Sequence, residues 1–212
     1  MVKTKQYYDP HPGVAMVRQW LDTLKEKTGR DIDEWTSFVQ KKGPAGKKER
    51  QEWLKKEHGF GRYNAEWVVD RAAGGTGIED WDPKRNVGKA HEVVEAMYAG
   101  PKNALRPLYD KLYTLARSIG ADIRLCPCKT MVPIYRNHVI AQIKPTTRSR
   151  VDFGLALKDT PTKGRLIDTG GLAKKDRITH RIEITKLEDI DSYVETWLRK
   201  AYAMDGGKSL VD

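Results

Sequence analysis

The apolar residues of the first hundred positions recur at helical spacing. Between residues 12 and 27 they fall three or four positions apart, at Val14, Val17, Leu21 and Leu24, which predicts the buried face of a helix. Three more helices are predicted over about 31–42, 47–58 and 62–73, with glycines after each. The stretch 74–90 is rich in Gly, Asp and Lys and is interpreted as a joint. A short helix is predicted over 91–99.

The second half of the chain combines two helical patterns with strand-like runs. A strongly periodic helix is predicted over 103–119 and an amphipathic helix over 187–204. Between them lie five short apolar runs at hairpin spacing, 122–126, 131–136, 139–144, 150–157 and 178–184. This order predicts an α+β fold, with an antiparallel sheet that carries both helices on one face. We therefore expect two domains, a helical one over 1–99 and an α+β one over 100–212.

Alternation along the predicted strands separates the two faces of the sheet. The residues expected to face the helices are Val139, Ala141, Ile143, Val151, Phe153, Leu155, Ile178, Ile182 and Ile184. The residues expected on the open face are Gln142, Lys144, Arg150, Asp152, Arg181 and Glu183. The open face is therefore predicted to be polar, with an excess of basic residues.

Composition excludes several classes of protein. Hydrophobic residues make up 39% and charged residues 32% of the chain, a mixture typical of globular domains. Apolar runs are too short to span a bilayer, and residues 1–5 lack the apolar core of a secretory signal. The two cysteines, Cys126 and Cys128, are too few and too close for a disulfide framework and are interpreted as reduced thiols. We expect a cytoplasmic protein without a membrane partner.

The positive charge is concentrated in one segment. The chain has a formal net charge of +10, and residues 123–181 contain 13 basic against 4 acidic residues, a balance of +9. Such a field attracts polyanions. The alternative is that the charge serves only solubility.

Several sequence motifs are similar to those of an uncharacterised bacterial family. In the first half they are Thr-Gly-Arg-Asp-Ile-Asp-Glu-Trp at 28–35 and the run 48–61. In the second half they are Lys-Thr-Met-Val-Pro-Ile-Tyr-Arg-Asn-His at 129–138, with shorter matches at 105–109, 143–145, 152–155 and 179–181. The family joins an N-terminal helical domain and a C-terminal α+β domain, both of unknown function. The resemblance implies this arrangement and no particular activity.

The segment between the third and fourth predicted helices resembles a helix-hairpin-helix motif. Gly59 and Gly61 flank an apolar residue, and Arg62 follows. In such hairpins the glycines allow a phosphate to approach backbone N–H groups at the start of the next helix. Glu57 departs from the motif, which has an apolar residue two positions before the first glycine. The alternative is an ordinary helix end followed by a short linker.

The loop that begins Thr-Gly-Gly at 169–171 is a second candidate for anion binding. Three cations, Lys174, Lys175 and Arg177, follow the paired glycines. The Gly-Lys-Ser/Thr ending of a nucleotide-binding P-loop is absent. The alternative is a mobile connection.

Metal and catalytic motifs are not recognisable. A zinc site built from Cys126, Cys128 and a histidine is a weak hypothesis, since Cys-x-Cys with scattered histidines is not a typical zinc signature. His180 falls on the apolar side of its strand, which favours a core histidine. We expect no metal and no cofactor, and the absence of a catalytic motif favours a non-enzymatic protein.

The function that these patterns favour is binding of nucleic acid or another polyanion. The residues expected to contribute are Gly59, Gly61, Arg62, Lys144, Arg150, Lys174, Lys175, Arg177 and Arg181. One alternative is a small anionic ligand, or an acidic substrate, bound at the module junction or at the basic loop 169–181, where Arg177, His180 and Arg181 would converge. Another is a protein-interaction module.

Overall fold

The computed structural model describes residues 6–206, and Asp80 by its backbone alone. The described residues form two compact units. One spans 10–88, and the other combines 6–9 with 89–206. The predicted division after residue 99 does not coincide with this one. Within the described residues, none of the helices has the length and apolar character needed to cross a membrane.

Helices make up the first unit. They are α1 (Gly13–Thr28), α2 (Ile32–Lys42), α3 (Lys47–His58) and α4 (Arg62–Ala72), followed by a 3₁₀ turn (Glu79–Trp81) and the start of α5 (Pro83–Met97). A capping box opens α2. The carboxylate of Asp31 accepts the N–H groups of Asp33 and Glu34, and the carboxylate of Glu34 accepts the N–H of Asp31.

Apolar faces of these helices meet in a separate core. Its most deeply buried residues are Leu24, Trp35, Val39, Leu54, Ala65, Val68 and Val69. Aromatic rings close it on one side, with Phe60 4.9 Å from Trp35 between ring centroids. The helical first module is therefore confirmed. Of the periodic positions named for its first helix, Leu24 lies in this core, Val14 and Val17 are buried but do not belong to it, and Leu21 is half-buried.

The joint predicted over 74–90 is partly wrong. Helix α5 begins at Pro83, well before the short helix predicted over 91–99. Proline is favoured at the first position of a helix, and the carboxylate of Asp82 accepts the N–H groups of Lys84 and Arg85. The glycines and charges of this stretch obscured that start signal.

The second unit contains the sheet. After a 3₁₀ turn (Gly100–Leu105) come α6 (Arg106–Ile119), β1 (Arg124–Leu125), β2 (Val132–Tyr135), β3 (Val139–Pro145), β4 (Val151–Leu155), β5 (Ile167–Asp168), β6 (His180–Ile184), a 3₁₀ turn (Leu187–Asp189) and α7 (Ser192–Met204). All pairs are antiparallel, in the order β1-β2-β3-β4-β6-β5. The predicted α+β fold is confirmed. Strand β5 was not predicted, because its two exposed residues carry no alternating pattern.

Helices α6 and α7 pack against each other on one face of the sheet, and α7 contacts β3 and β4. Alternation placed most inward residues correctly, since Ala141, Ile143, Val151, Phe153, Leu155, Ile182 and Ile184 are fully buried. Two assignments were wrong. Val139 is half-buried, where the register shifts between β2 and β3. Ile178 precedes β6 and lies beside Gly154, outside the main core.

Residues 6–9 belong to the sheet unit although they precede the helical one. The hydroxyls of Tyr8 and Tyr109 are 2.8 Å apart in the core. The carboxylate of Asp9 accepts hydrogen bonds from the Arg117 guanidinium at 2.6 Å and the N–H of Leu125 at 2.9 Å. The chain therefore begins its described part in the sheet unit, forms the helical unit, and returns at Lys89.

Candidate anion-binding pocket

The loop between β5 and β6 is held by bonds across its base and within it. At the base, the N–H of Thr169 donates to the carbonyl of Thr179 at 3.0 Å. Further along, the N–H of Asp176 donates to the carbonyl of Gly171 at 2.8 Å, and the carboxylate of Asp176 accepts the N–H of Ile178. These bonds give the loop a defined conformation and argue against a mobile connection.

The paired glycines of this loop have separate roles. Gly170 has a φ of 68°, in the left-handed region that favours glycine. Gly171 does not, but a Cβ on it would lie 2.3 Å from the carbonyl oxygen of Ile178. The first glycine is needed for its backbone conformation and the second for close packing.

Arg177 anchors the loop to the start of β3 and the end of α7. Its Nε donates to the carbonyl of Val139 at 2.9 Å, and its Nη2 donates to Oδ1 of Asp205 at 2.6 Å. The Asp205 carboxylate is only 5% exposed and also accepts the backbone N–H of His138 at 2.7 Å. The charge of Arg177 is thus already paired, so this residue positions the loop.

A pocket of about 430 Å³ lies under the anchored loop. Its lining residues are Ile140, Ala156, Lys158, Leu172, Lys175, Asp176, Arg177, Thr179, Ala201, Met204 and Asp205. Lys158 and Lys175 are exposed, and no described carboxylate lies within ion-pair distance of either ammonium group. Both lysines have positive φ, 53° and 56°, which no other described non-glycine residue has. Of the two carboxylates in the lining, that of Asp205 is paired with Arg177, and that of Asp176 accepts the N–H of Ile178. The pocket thus combines apolar side chains with two lysines that have no described carboxylate partner and one carboxylate that has no described cationic partner.

Beside the pocket, Thr179 and His180 are buried and bonded to each other. The hydroxyl of Thr179 accepts the N–H of Leu157 at 3.1 Å and lies 2.9 Å from Nδ1 of His180. His180 is 3% exposed, so the predicted core histidine is confirmed. Successive strand residues face opposite sides of a sheet, so Arg181 lies on the face away from His180. The hypothesis that Arg177, His180 and Arg181 converge on one anion was therefore wrong.

On the open face of the sheet, Arg150 and Arg181 are neutralised. Each guanidinium lies 2.9–3.0 Å from carboxylate oxygens of both Asp152 and Glu183. The four side chains form a closed ion-pair network, which lowers the attraction of these two arginines for an external anion. Their role in anion binding stays a prediction, as does that of Lys174, which does not line the pocket.

Comparison with known proteins matches both halves of the chain. Residues 94–205, more than half of the chain, match the domain of unknown function DUF5655. Residues 17–73 match the domain of unknown function DUF4287. The chain belongs to the DUF5655 family. The predicted resemblance to a two-domain family of unknown function is confirmed, and no curated protein or solved structure matches the chain. All residues that line the pocket lie within the DUF5655 region.

The hairpin predicted for phosphate binding lies in the DUF4287 region. Gly59 ends α3 with a φ of 69°, Phe60 is buried, and Gly61 precedes α4 in an extended conformation without a side-chain cap. Arg62 is exposed at the first position of α4. The structure therefore contains two helices joined by a short turn at this position, and phosphate binding by Gly59, Gly61 and Arg62 stays a prediction.

In the DUF5655 region, both thiols are unsuited to bind metal or attack a substrate as thiolates. Burial raises the pKa of Cys126 to about 12 and also raises the pKa of Cys128. Among residues 6–206, no group of three His, Cys, Asp or Glu side chains could hold a metal ion.

Sequence reasoning missed two residues of the pocket. Lys158 follows β4 in a turn before Pro161, and a lysine in a turn is too common to single out. Asp205 stands at the end of α7, and only its buried contact with Arg177 shows its importance. Neither residue gave a signal in the sequence, because the pocket brings together segments that lie far apart in the chain.

Proposed function

We propose that the DUF5655 region binds a small organic anion in the pocket under the loop of residues 169–179. The observation that carries the proposal is that Lys158 and Lys175, both with left-handed backbone and both without a described carboxylate partner, line the same pocket. The left-handed conformation costs a non-glycine residue about 1–2 kcal/mol. Such strain persists where the surrounding structure imposes it, and it concentrates at functional sites.

The lining favours an anion that carries an apolar group. Ile140, Ala156 and Ala201 offer apolar surface, while the two lysines provide ammonium groups. A volume of about 430 Å³ is typical of pockets for small molecules. A carboxylate or phosphate head would pair with the lysines, and its apolar body would lie against the buried wall.

We propose binding without catalysis. The carboxylate of Asp205 is bonded to Arg177 and His138, and the Thr179 hydroxyl is bonded to Leu157 and His180. Neither group is placed as a free nucleophile or general base.

Replacement of Lys175 by glycine tests two effects by separate measurements: the effect of backbone strain on stability and the effect of the cation on ligand affinity. Lys175→Gly relieves the left-handed strain and removes one cation, so we expect the free energy of unfolding without ligand to rise by about 0.5–1 kcal/mol. Phenyl phosphate carries both a phosphate head and an apolar body, and we expect its affinity to fall about tenfold. Thermal and urea unfolding measure the first effect, and calorimetric titration measures the second.

The matched control is Lys174→Gly, which removes a neighbouring cation outside the pocket and should leave the affinity unchanged. Inorganic phosphate and phenol test the head and the body of the probe separately, and each should bind more weakly than phenyl phosphate. If Lys175→Gly binds phenyl phosphate as well as the wild type, or if the wild type binds none of the three, the proposal is wrong.

Binding of nucleic acid stays a prediction with less geometric support. The pairing of Arg150 and Arg181 with Asp152 and Glu183 removes two of the cations on which that hypothesis depended. Lys144, the third basic residue predicted on the open face, has no described carboxylate partner, and it lines a different cavity.

A further inference from the structure

A second cavity, of about 500 Å³, lies at another edge of the sheet unit. It is formed by the end of α5 and the turn after it, the tip of the β1–β2 hairpin, and the turn from β3 to β4. Its lining residues are Ala96, Met97, Ala99, Pro101, Lys102, Lys129, Thr130, Lys144, Pro145, Thr146 and Arg148. The second cavity shares no lining residue with the pocket under the loop of residues 169–179, so a ligand bound here is independent of the small organic anion proposed for that pocket.

Among the described residues, four cations and no carboxylate line this second cavity. These cations, Lys102, Lys129, Lys144 and Arg148, come from three segments of the chain, the last two from the end of β3 and the turn after it, and none has a described carboxylate within ion-pair distance. The ammonium of Lys102 is held in place, because its Nζ donates to the carbonyl of Pro145 at 2.6 Å. The fold therefore gathers four unneutralised positive charges around one space.

The nearest candidate for neutralising Lys144 is already engaged. Lys144 and Asp152 are direct partners across β3 and β4. The Asp152 carboxylate, however, lies 2.9 Å from nitrogens of both Arg150 and Arg181, and it accepts the hydroxyl of Thr146 at 2.7 Å. On the open face, three cations thus face two carboxylates, and the excess charge is that of Lys144.

Four positive charges around one cavity repel one another, and a bound anion with a similar number of negative charges would offset that repulsion. A condensed phosphate places three to four negative charges within a few ångströms, whereas the backbone of a nucleic acid carries one charge per nucleotide along a line. The residues Met97, Pro101 and Pro145 add apolar surface to the lining. We propose that this second cavity binds a diphosphate or triphosphate group.

The test uses inorganic tripolyphosphate and the double variant Lys129→Glu/Arg148→Glu. Both side chains are exposed at turns, so the substitutions should leave the far-UV circular dichroism spectrum unchanged. We expect calorimetric titration at low salt to show binding to the wild type, and at least about tenfold weaker binding to the variant. Orthophosphate, with fewer charges, should bind the wild type more weakly than tripolyphosphate.

The matched control is Lys163→Glu/Lys174→Glu, which changes the net charge equally at two exposed lysines that line neither cavity. Its affinity for tripolyphosphate should stay within about twofold of the wild type, because the long-range field falls off over a Debye length. Equal loss in both double variants would show that only the net charge matters, and it would overturn the proposal. No binding by the wild type would also overturn it.

Two further ligands identify the source of the phosphates. ATP that binds as tightly as tripolyphosphate shows recognition of the phosphates alone, and tighter binding of ATP shows an added contribution from the nucleoside. Both results support the proposal. A single-stranded oligonucleotide that binds the wild type and is not displaced by tripolyphosphate would replace the proposal with the nucleic-acid hypothesis.

Discussion

At the scale of single residues, the glycine pairs Gly59/Gly61 and Gly170/Gly171 look alike in the sequence, but the two members of each pair have different roles in the structure. Gly59 and Gly170 have left-handed backbone, and the glycines that follow them closely do not. Of the two glycines that follow, Gly61 has no atom within 4 Å of the place where a Cβ would lie, whereas a Cβ added to Gly171 would collide with backbone atoms. Of these two, Gly171 is therefore the one required for close packing.

Gly171→Ala should destabilise the loop at the pocket. The new methyl group would lie 2.3 Å from the Ile178 carbonyl oxygen, and a backbone atom cannot move aside without shifting the loop. We expect the free energy of unfolding to fall by about 2 kcal/mol, measured by urea denaturation. Gly61→Ala is the control and should cost only a few tenths of a kcal/mol, about as much as a change at an uncapped helix start. Equal effects of the two substitutions would contradict this assignment.

At the scale of elements, strong periodicity was sufficient to predict the helices and most strands. Helices α1 to α4 lie within one or two residues of their predicted bounds, because their apolar spacing and end signals agree. Strand β5 and the start of α5 were missed, since the first is too short for a pattern and the second lies among glycines and charges. The pocket depends on loops and on the end of α7, so only Lys175 and Arg177 could be proposed in advance as its charged residues.

Helix α7 allows a test of which side chains bind it to the sheet. Val194, Leu198 and Ala201 are buried, whereas Trp197 is half-buried, with its ring 6.1 Å from that of Tyr193 and near the ammonium of Lys200. We expect Leu198→Ala to lower the free energy of unfolding by about 3 kcal/mol and Trp197→Ala by clearly less. Thermal and urea unfolding would measure both. A larger effect for Trp197 would mean that the apolar face of α7 is misassigned.

At the scale of the whole molecule, the first described residues, 6–9, belong to the sheet unit, which also contains residues 89–206. Tyr8 packs in the core of the sheet unit, and Asp9 is bonded to Arg117 and Leu125. The helical unit, which contains the DUF4287 match, thus lies between two parts of the sheet unit in sequence. A pattern-based division at residue 99 could not reveal this arrangement, because four residues near the start give no periodic signal.

The last prediction concerns removal of the helical unit. The rings of Tyr8 and His91 lie 4.8 Å apart between centroids, so the two ends of the excised segment are close together and a flexible Gly-Ser linker of about six residues can join them. We expect a variant with residues 10–88 replaced by this linker to unfold cooperatively. It should also keep its affinity for tripolyphosphate, because the lining of the second cavity lies within 96–148.

The matched comparison is a chain that begins at residue 89 and so lacks Tyr8 and Asp9. Loss of the buried tyrosine and of the carboxylate that holds Arg117 should make this chain less stable than the linked variant by about 3 kcal/mol or more. Urea denaturation followed by circular dichroism measures the difference. Equal stability of the two chains would show that residues 6–9 contribute nothing to the sheet unit, and failure of the linked variant to fold would show that this unit depends on the helical one.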